Sequence, residues 1–146
     1  MRALGFALAL MASPALAGTT YVETGKLIDV ETGKVSTGQC IIVVDERVKS
    51  IGPCGKAPDG ATVVDWRRYT VLPGLIDLHT HLADVGQGAD VAEPIKTGPA
   101  ATAYQGAKHA HDTLMAGFTT VRDVGTYRAF ADVVLRDAIR DGLVPG

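Results

Sequence analysis

Apolar and polar positions along the chain follow two rhythms, which change at Pro73-Gly74. Before that point, short runs rich in Val, Ile, Thr and Tyr lie at 21–22, 26–30, 39–44, 47–51 and 61–65. They are separated by Thr24-Gly25, Glu31-Thr32-Gly33-Lys34, Gly52-Pro53 and Pro58-Asp59-Gly60. Runs bounded by such turn residues predict strands, hence a small all-β unit. Its apolar faces are thin and short strand sets are marginal alone, so it is expected to need further sheet. After Pro73-Gly74 the pattern predicts a strand at 75–82, a loop over 83–98, and a helix over 99–116 stopped by Gly117. A strand at 119–124 follows, then a helix over 127–141 with Phe130, Val133, Val134 and Ala138 on one face. Strand, helix, strand, helix is the pattern of a parallel sheet with covering helices, so the class is α/β. Two such units leave open sheet edges, and the chain reads as the N-terminal part of a longer protein.

The densest chemistry sits at the end of the first strand after Pro73-Gly74. Successive strand residues alternate faces, so Asp77, His79 and His81 point one way and Leu78, Thr80 and Leu82 the other. Two imidazoles one strand period apart can converge on one metal ion. His109 and His111 have the same spacing but fall in the helical stretch, where i and i+2 lie about 200° apart around the axis. They are expected on the helix surface, and only His79 and His81 are metal-ligand candidates.

Composition narrows the partners. The chain is 47% hydrophobic with net charge −2, which is ordinary globular composition with no basic excess to suggest nucleic acid. Met1-Arg2, an apolar run at 3–12 and Ala15-Leu16-Ala17 form a secretory leader with cleavage expected after Ala17, too short for a stable membrane anchor. Export to the periplasm or beyond would place Cys40 and Cys54 where disulfides persist. They flank a predicted hairpin turning near Asp45-Glu46. In that register Cys40 faces a residue near Ile51, so a bridge to Cys54 requires the chain to double back, and the pairing stays open.

The run Thr70-Val71-Leu72-Pro73-Gly74-Leu75-Ile76-Asp77-Leu78-His79-Thr80-His81, followed by Gly117-Phe118-Thr119-Thr120-Val121-Arg122-Asp123-Val124-Gly125, closely resembles the metal-dependent amidohydrolase superfamily. It is most similar to the imidazolonepropionase-like branch, which includes exported Xaa-Pro and Xaa-Arg/Lys dipeptidases. The resemblance implies a partial β-sandwich over 18–71 and the first two βα units of a (β/α)8 barrel over 72–146. It implies that His79 and His81 bind the more buried of one or two divalent ions, usually zinc, at the strand's C-terminal end, where barrel active sites form. The family's further groups are a lysine from the fourth strand, histidines from the fifth and sixth, and an aspartate from the eighth. None of these positions lies in this chain, so no catalytic residue is expected within it. The implied chemistry is hydrolysis of a small-molecule or dipeptide substrate by metal-activated water. A homo-oligomer is allowed.

Around that pair, Asp77 shares the histidines' face one strand period deeper, either touching the site or making a structural hydrogen bond. Asp123 ends the second strand, at the active-site rim or satisfying backbone amides there. Arg122, of opposite parity, pairs with Asp123 or faces a helix. Asp84, Asp90 and Glu93 lie in the loop after the first strand, either as specificity residues or as solvated charge. Trp66, beside Arg67-Arg68, is expected to pack at the junction of the two parts. Two other readings stay open: a non-catalytic remnant or interaction fragment, and a lactonase or deaminase on the same scaffold.

Overall fold

The structure, a computed structural model, describes residues 18–84 and 92–146. The expected leader at 1–17, its cleavage site and Asp90 lie outside the described residues. The chain divides between Leu72 and Pro73 into two compact units.

The first unit is a five-stranded sheet built on β1 (Thr19–Ile28). One edge of β1 pairs antiparallel with β2 (Val35–Thr37) and β3 (Gln39–Val44), and its other edge pairs parallel with β5 (Thr62–Val71). β3 continues antiparallel to β4 (Arg47–Pro53). The separate strands expected at 21–22 and 26–30 are therefore one, and Thr24-Gly25 is not a turn. Gly25 serves close approach instead: a Cβ there would sit 2.2 Å from the Arg67 carbonyl oxygen and 2.8 Å from that of Tyr69. Opposite it the β1–β5 register slips between Thr24 and Lys26, so Arg67, Arg68 and Tyr69 bulge over the glycine. β5 runs on through the bulge to Val71, six residues past the expected end, and Trp66 within it is 44% exposed. Within it, hydrogen bonds from the Arg67 guanidinium and backbone N–H hold the Asp65 carboxyl far below the usual carboxylate range. The pair's contribution is thus present above the unfolded-state value of about 3.9 and fades as pH falls toward the folded one. β2 was not expected; three residues carry too short a pattern to read.

The β3–β4 turn at Asp45 and Glu46 has positive φ at both residues, 49° and 67°, as a two-residue type I′ hairpin requires. Beyond it the register slips between Ile42 and Val43, so that Val43 faces Val48 but Ile42 faces Ser50. The extra residue, Lys49, brings Cys40 opposite Gly52 instead of Ile51. Cys54 N–H then donates to Gly38 O at 2.9 Å, and Cys40 and Cys54 stand diagonally across the pair with Cα atoms 4.9 Å apart, joined by a disulfide. No doubling back is needed. The next residue is pinned as well, because the buried Tyr21 hydroxyl donates to Gly55 O and accepts from Gly55 N–H. Thr24, also buried, donates its Oγ1 proton to Gln39 O at 2.7 Å.

The second unit contains β6 (Leu75–Thr80), α1 (Glu93–Lys96), α2 (Pro99–Met115), β7 (Phe118–Asp123) and α3 (Ala131–Arg140), with β6 and β7 parallel. These are the βα units of an α/β class protein. α2 matches the expected helix and ends at Gly117, whose φ of 97° suits a left-handed C′ residue. α1 breaks the stretch expected as loop; its four residues carry no helical periodicity. α3 starts four residues later than expected, because the Asp84 carboxylate takes the Tyr127 N–H at 2.6 Å and the Arg128 guanidinium donates to Thr97 O. These bonds hold 127–128 in a turn, and Phe130 enters the helix left-handed and 73% exposed. Of the expected face of Phe130, Val133, Val134 and Ala138, Phe130 and Val134 are exposed and Val133 and Ala138 half-buried, while the buried residue is Leu135, with Ala131 and Ile139 against the same core. Leu135 packs with Ala83 and Ala110 to form the core of this unit. Among the described residues, no helix is long and apolar enough to cross a membrane.

The thin sheet makes the bridge important to the first unit. Replacing Cys40 and Cys54 together by serine should lower unfolding free energy by about 2–4 kcal/mol, as expected for a short closed loop. Denaturant unfolding monitored at Trp66, with and without reductant, checks this; equal midpoints would exclude it.

Candidate metal centre

β6 ends at Thr80, two residues short of the expected strand, so His79 lies inside it and His81 one residue past it, and the pairing with β7 slips between Asp77 and Thr80, which interrupts regular alternation there. The two ring centroids are 5.4 Å apart, edge to face with planes inclined by 72°. Rings that each place a nitrogen ~2.0–2.1 Å from a tetrahedral ion have centres roughly 5 Å apart, a separation this pair matches. His81 carries a second indication. Its Nδ1 lies 2.6 Å from Gly125 O, and a carbonyl can only accept, so Nδ1 bears the proton. The neutral ring then keeps its lone pair on Nε2, the arrangement found in metal-binding histidines whose other nitrogen donates to a carbonyl.

The residues around the pair divide by role. Asp77 Oδ1 accepts the His79 backbone N–H at 3.0 Å, which is the structural alternative among the two open for it. Asp123 satisfies backbone amides: Oδ2 accepts from Leu82 N–H at 2.8 Å and Oδ1 from Gly125 N–H at 3.0 Å. Arg122 is exposed. Asp84 places Oδ2 3.8 Å from His81 Nδ1 while its Oδ1 holds Tyr127 N–H, and Glu93 accepts from the Thr97 hydroxyl. Both are thus engaged rather than simply solvated.

His109 differs from its expected surface position. It is half-buried, and its Nδ1 donates to Leu82 O at 2.9 Å, tying α2 to the residue after His81. The signal missed was tertiary, since the close approach of α2 through Gly106, whose added Cβ would meet Ala83 Cα at 3.3 Å, is not visible in helical spacing. His111 is exposed as expected. Among the described residues, no group of three or more His, Cys, Asp or Glu side chains is arranged to hold an ion, so His79 and His81 are a partial donor set. An apolar cavity of about 400 Å³ between α2 and α3, lined by Ala103, Ala107, Val134 and Leu135 among others, does not include either histidine.

The amidohydrolase family matches residues 70–146, and the chain belongs to that family. Dihydroorotase of Mycobacterium tuberculosis (strain ATCC 25618 / H37Rv) is 44% identical over 66 residues, covering 45% of this chain and 15% of that protein. Dihydroorotase of Geobacter sulfurreducens (strain ATCC 51573 / DSM 12127 / PCA) is 33% identical over 123 residues, 84% of this chain and 27% of the relative. Among solved structures, a Xaa-Pro dipeptidase with bound methionine in the active site superposes with a TM-score of 0.77 at 34% identity. That match covers 88% of this chain and 32% of the dipeptidase. The chain thus spans about a third or less of the length of these relatives.

Thr80, between the histidines in sequence, has a buried Oγ1 with no hydrogen-bond partner among the described residues. Such a hydroxyl costs about 1–3 kcal/mol relative to a satisfied one, so Thr80→Val should leave stability unchanged or raise it by about 1 kcal/mol. Thermal unfolding of the variant checks this; a loss above 1 kcal/mol would mean the hydroxyl is engaged.

Proposed function

We propose that the chain supplies the first histidine pair of a metal-dependent hydrolase of carbon–nitrogen bonds, with dipeptides as its substrates. The observation that carries this reading is the converging His79 and His81 pair with the His81 Nδ1 proton committed to Gly125. Imidazole donors suit zinc, as they also suit copper, iron and nickel, and zinc is the ion proposed here. A zinc ion bound there supplies Lewis acidity and lowers the pKa of bound water toward about 7. The chain's own residues do the positioning: the end of β6 and the residue after it set the two rings 5.4 Å apart, and Gly125 keeps the His81 proton off Nε2. The similarity to a Xaa-Pro dipeptidase over 88% of the chain supports the dipeptide class and the imidazolonepropionase-like branch. The leader at 1–17 and the Cys40–Cys54 bridge support export, because disulfides persist in oxidising compartments. A catalytic zinc normally has three protein ligands plus water, so the 146 residues made alone are proposed to be inactive. A second reading, a dihydroorotase-like activity, is favoured by the relatives of that name.

The test is an assay of the protein carrying this chain, with Xaa-Pro, Xaa-Arg and Xaa-Lys dipeptides beside dihydroorotate. Dipeptide turnover should vanish with chelator, return with Zn²⁺, and fall by more than about 100-fold in His79→Ala or His81→Ala, beyond the loss from an outer-sphere change. Turnover of dihydroorotate alone would select the second reading. Chelator-resistant turnover, or turnover by the 146 residues alone, would overturn the account.

A further inference from the structure

We propose that Asp123 is a positioning residue that sets the tautomer and orientation of the His81 ring. Its carboxylate joins two segments. Oδ2 holds the Leu82 N–H, the peptide immediately after His81, and Oδ1 holds the N–H of Gly125. The carbonyl of that same glycine accepts the His81 Nδ1 proton. A closed ring of bonds results, running from His81 through Leu82 to Asp123, on to Gly125 and back to His81.

The strand pairing supplies the frame for this ring. Thr80 is registered with Asp123, and Val124 N–H donates to Thr80 O at 3.0 Å. Past that bond β7 ends, and Gly125 has a φ of 124°, a conformation that side-chain-bearing residues rarely adopt. No further sheet ladder bond aims its carbonyl, so the direction of that carbonyl depends on what holds the Gly125 N–H. Asp123 does so. On the far side, His109 Nδ1 donates to Leu82 O, so the residue after His81 is fixed at both its N–H and its C=O.

The job requires two acceptor oxygens. A carboxylate has both, whereas an amide of the same shape would direct its NH2 at one of the two backbone donors and leave them opposed. Among the described residues, Asp84 is another acid near the ring. Its Oδ2 is 3.8 Å from Nδ1, beyond hydrogen-bond reach, and its second oxygen is committed to Tyr127, so it contributes charge and not the acceptor that fixes the proton. The consequence for metal binding rests on the reading of His81 as a ligand, but the tautomer does not.

The experiment reads the two separately. Imidazole ¹⁵N spectra of the metal-free protein, recorded where His81 is neutral, should give a protonated Nδ1 and a bare Nε2 for His81. In Asp123→Asn that signature should be lost to a mixture or to the Nε2–H form, while Asp84→Asn keeps it. Calorimetric Zn²⁺ affinity should drop 10–100-fold in Asp123→Asn, the usual range for an outer partner of a ligating histidine. A changed tautomer with unchanged zinc affinity would support the positioning role and count against His81 as a ligand. A folded Asp123→Asn protein with the original Nδ1–H signature would overturn the proposal, even if its melting temperature fell. So would an Nε2–H ring at His81 in the unsubstituted protein, which needs no variant to fold.

Discussion

Parallel pairing of β6 with β7 is the constraint on which the site depends. It sets Asp77 beside Val121 and Thr80 beside Asp123, so both strands end at the same level. The slip between Asp77 and Thr80 is absorbed before that end, and the first residues past β7 lie against His81, the first residue past β6. The His81 ring finds the Gly125 carbonyl because both have just left the same two-stranded ladder. The common end of the two strands and the turns that follow it bring four separate residues, His79, His81, Asp123 and Gly125, to one place.

The outer layer of this arrangement comes from α2. Its buried stripe of Thr102, Gly106 and Ala110 brings the helix onto Ala83, and that closeness lets His109 reach the Leu82 carbonyl. Packing and polar contacts therefore meet at one turn of chain, residues 81–84. The same turn carries Asp84, which holds Tyr127 N–H and delays the start of α3. Local order after β6 thus sets where the second helix begins.

Much of this could be read in the residues. The Pro-Gly entry and the apolar run after it give β6 as far as Thr80, and the 99–115 helix follows from Pro99 and Gly117. What escaped was decided by distant partners. β1 reads as two strands because Gly25 resembles a turn, when it is the room needed by a bulge in β5. The Cys40–Cys54 geometry turned on one extra residue, Lys49, in β4. In α3 apolar residues occupy two adjacent faces, and only the contact of Leu135 with Ala83 and Ala110 selects the inner one. Asp123 could be placed at a strand end from its position, but the two amides it would serve lie 41 and 2 residues away, and only the first makes it more than a local cap.

The central claim is that His79 and His81 share one ion. Anomalous diffraction at the zinc edge, from crystals of the protein equilibrated with Zn²⁺, measures this directly. The account predicts a peak ~2.0–2.1 Å from a ring nitrogen of each histidine, with Nε2 as the nitrogen of His81. Rings turned to opposite sides of the strand, or no peak between them at saturating zinc, would contradict it.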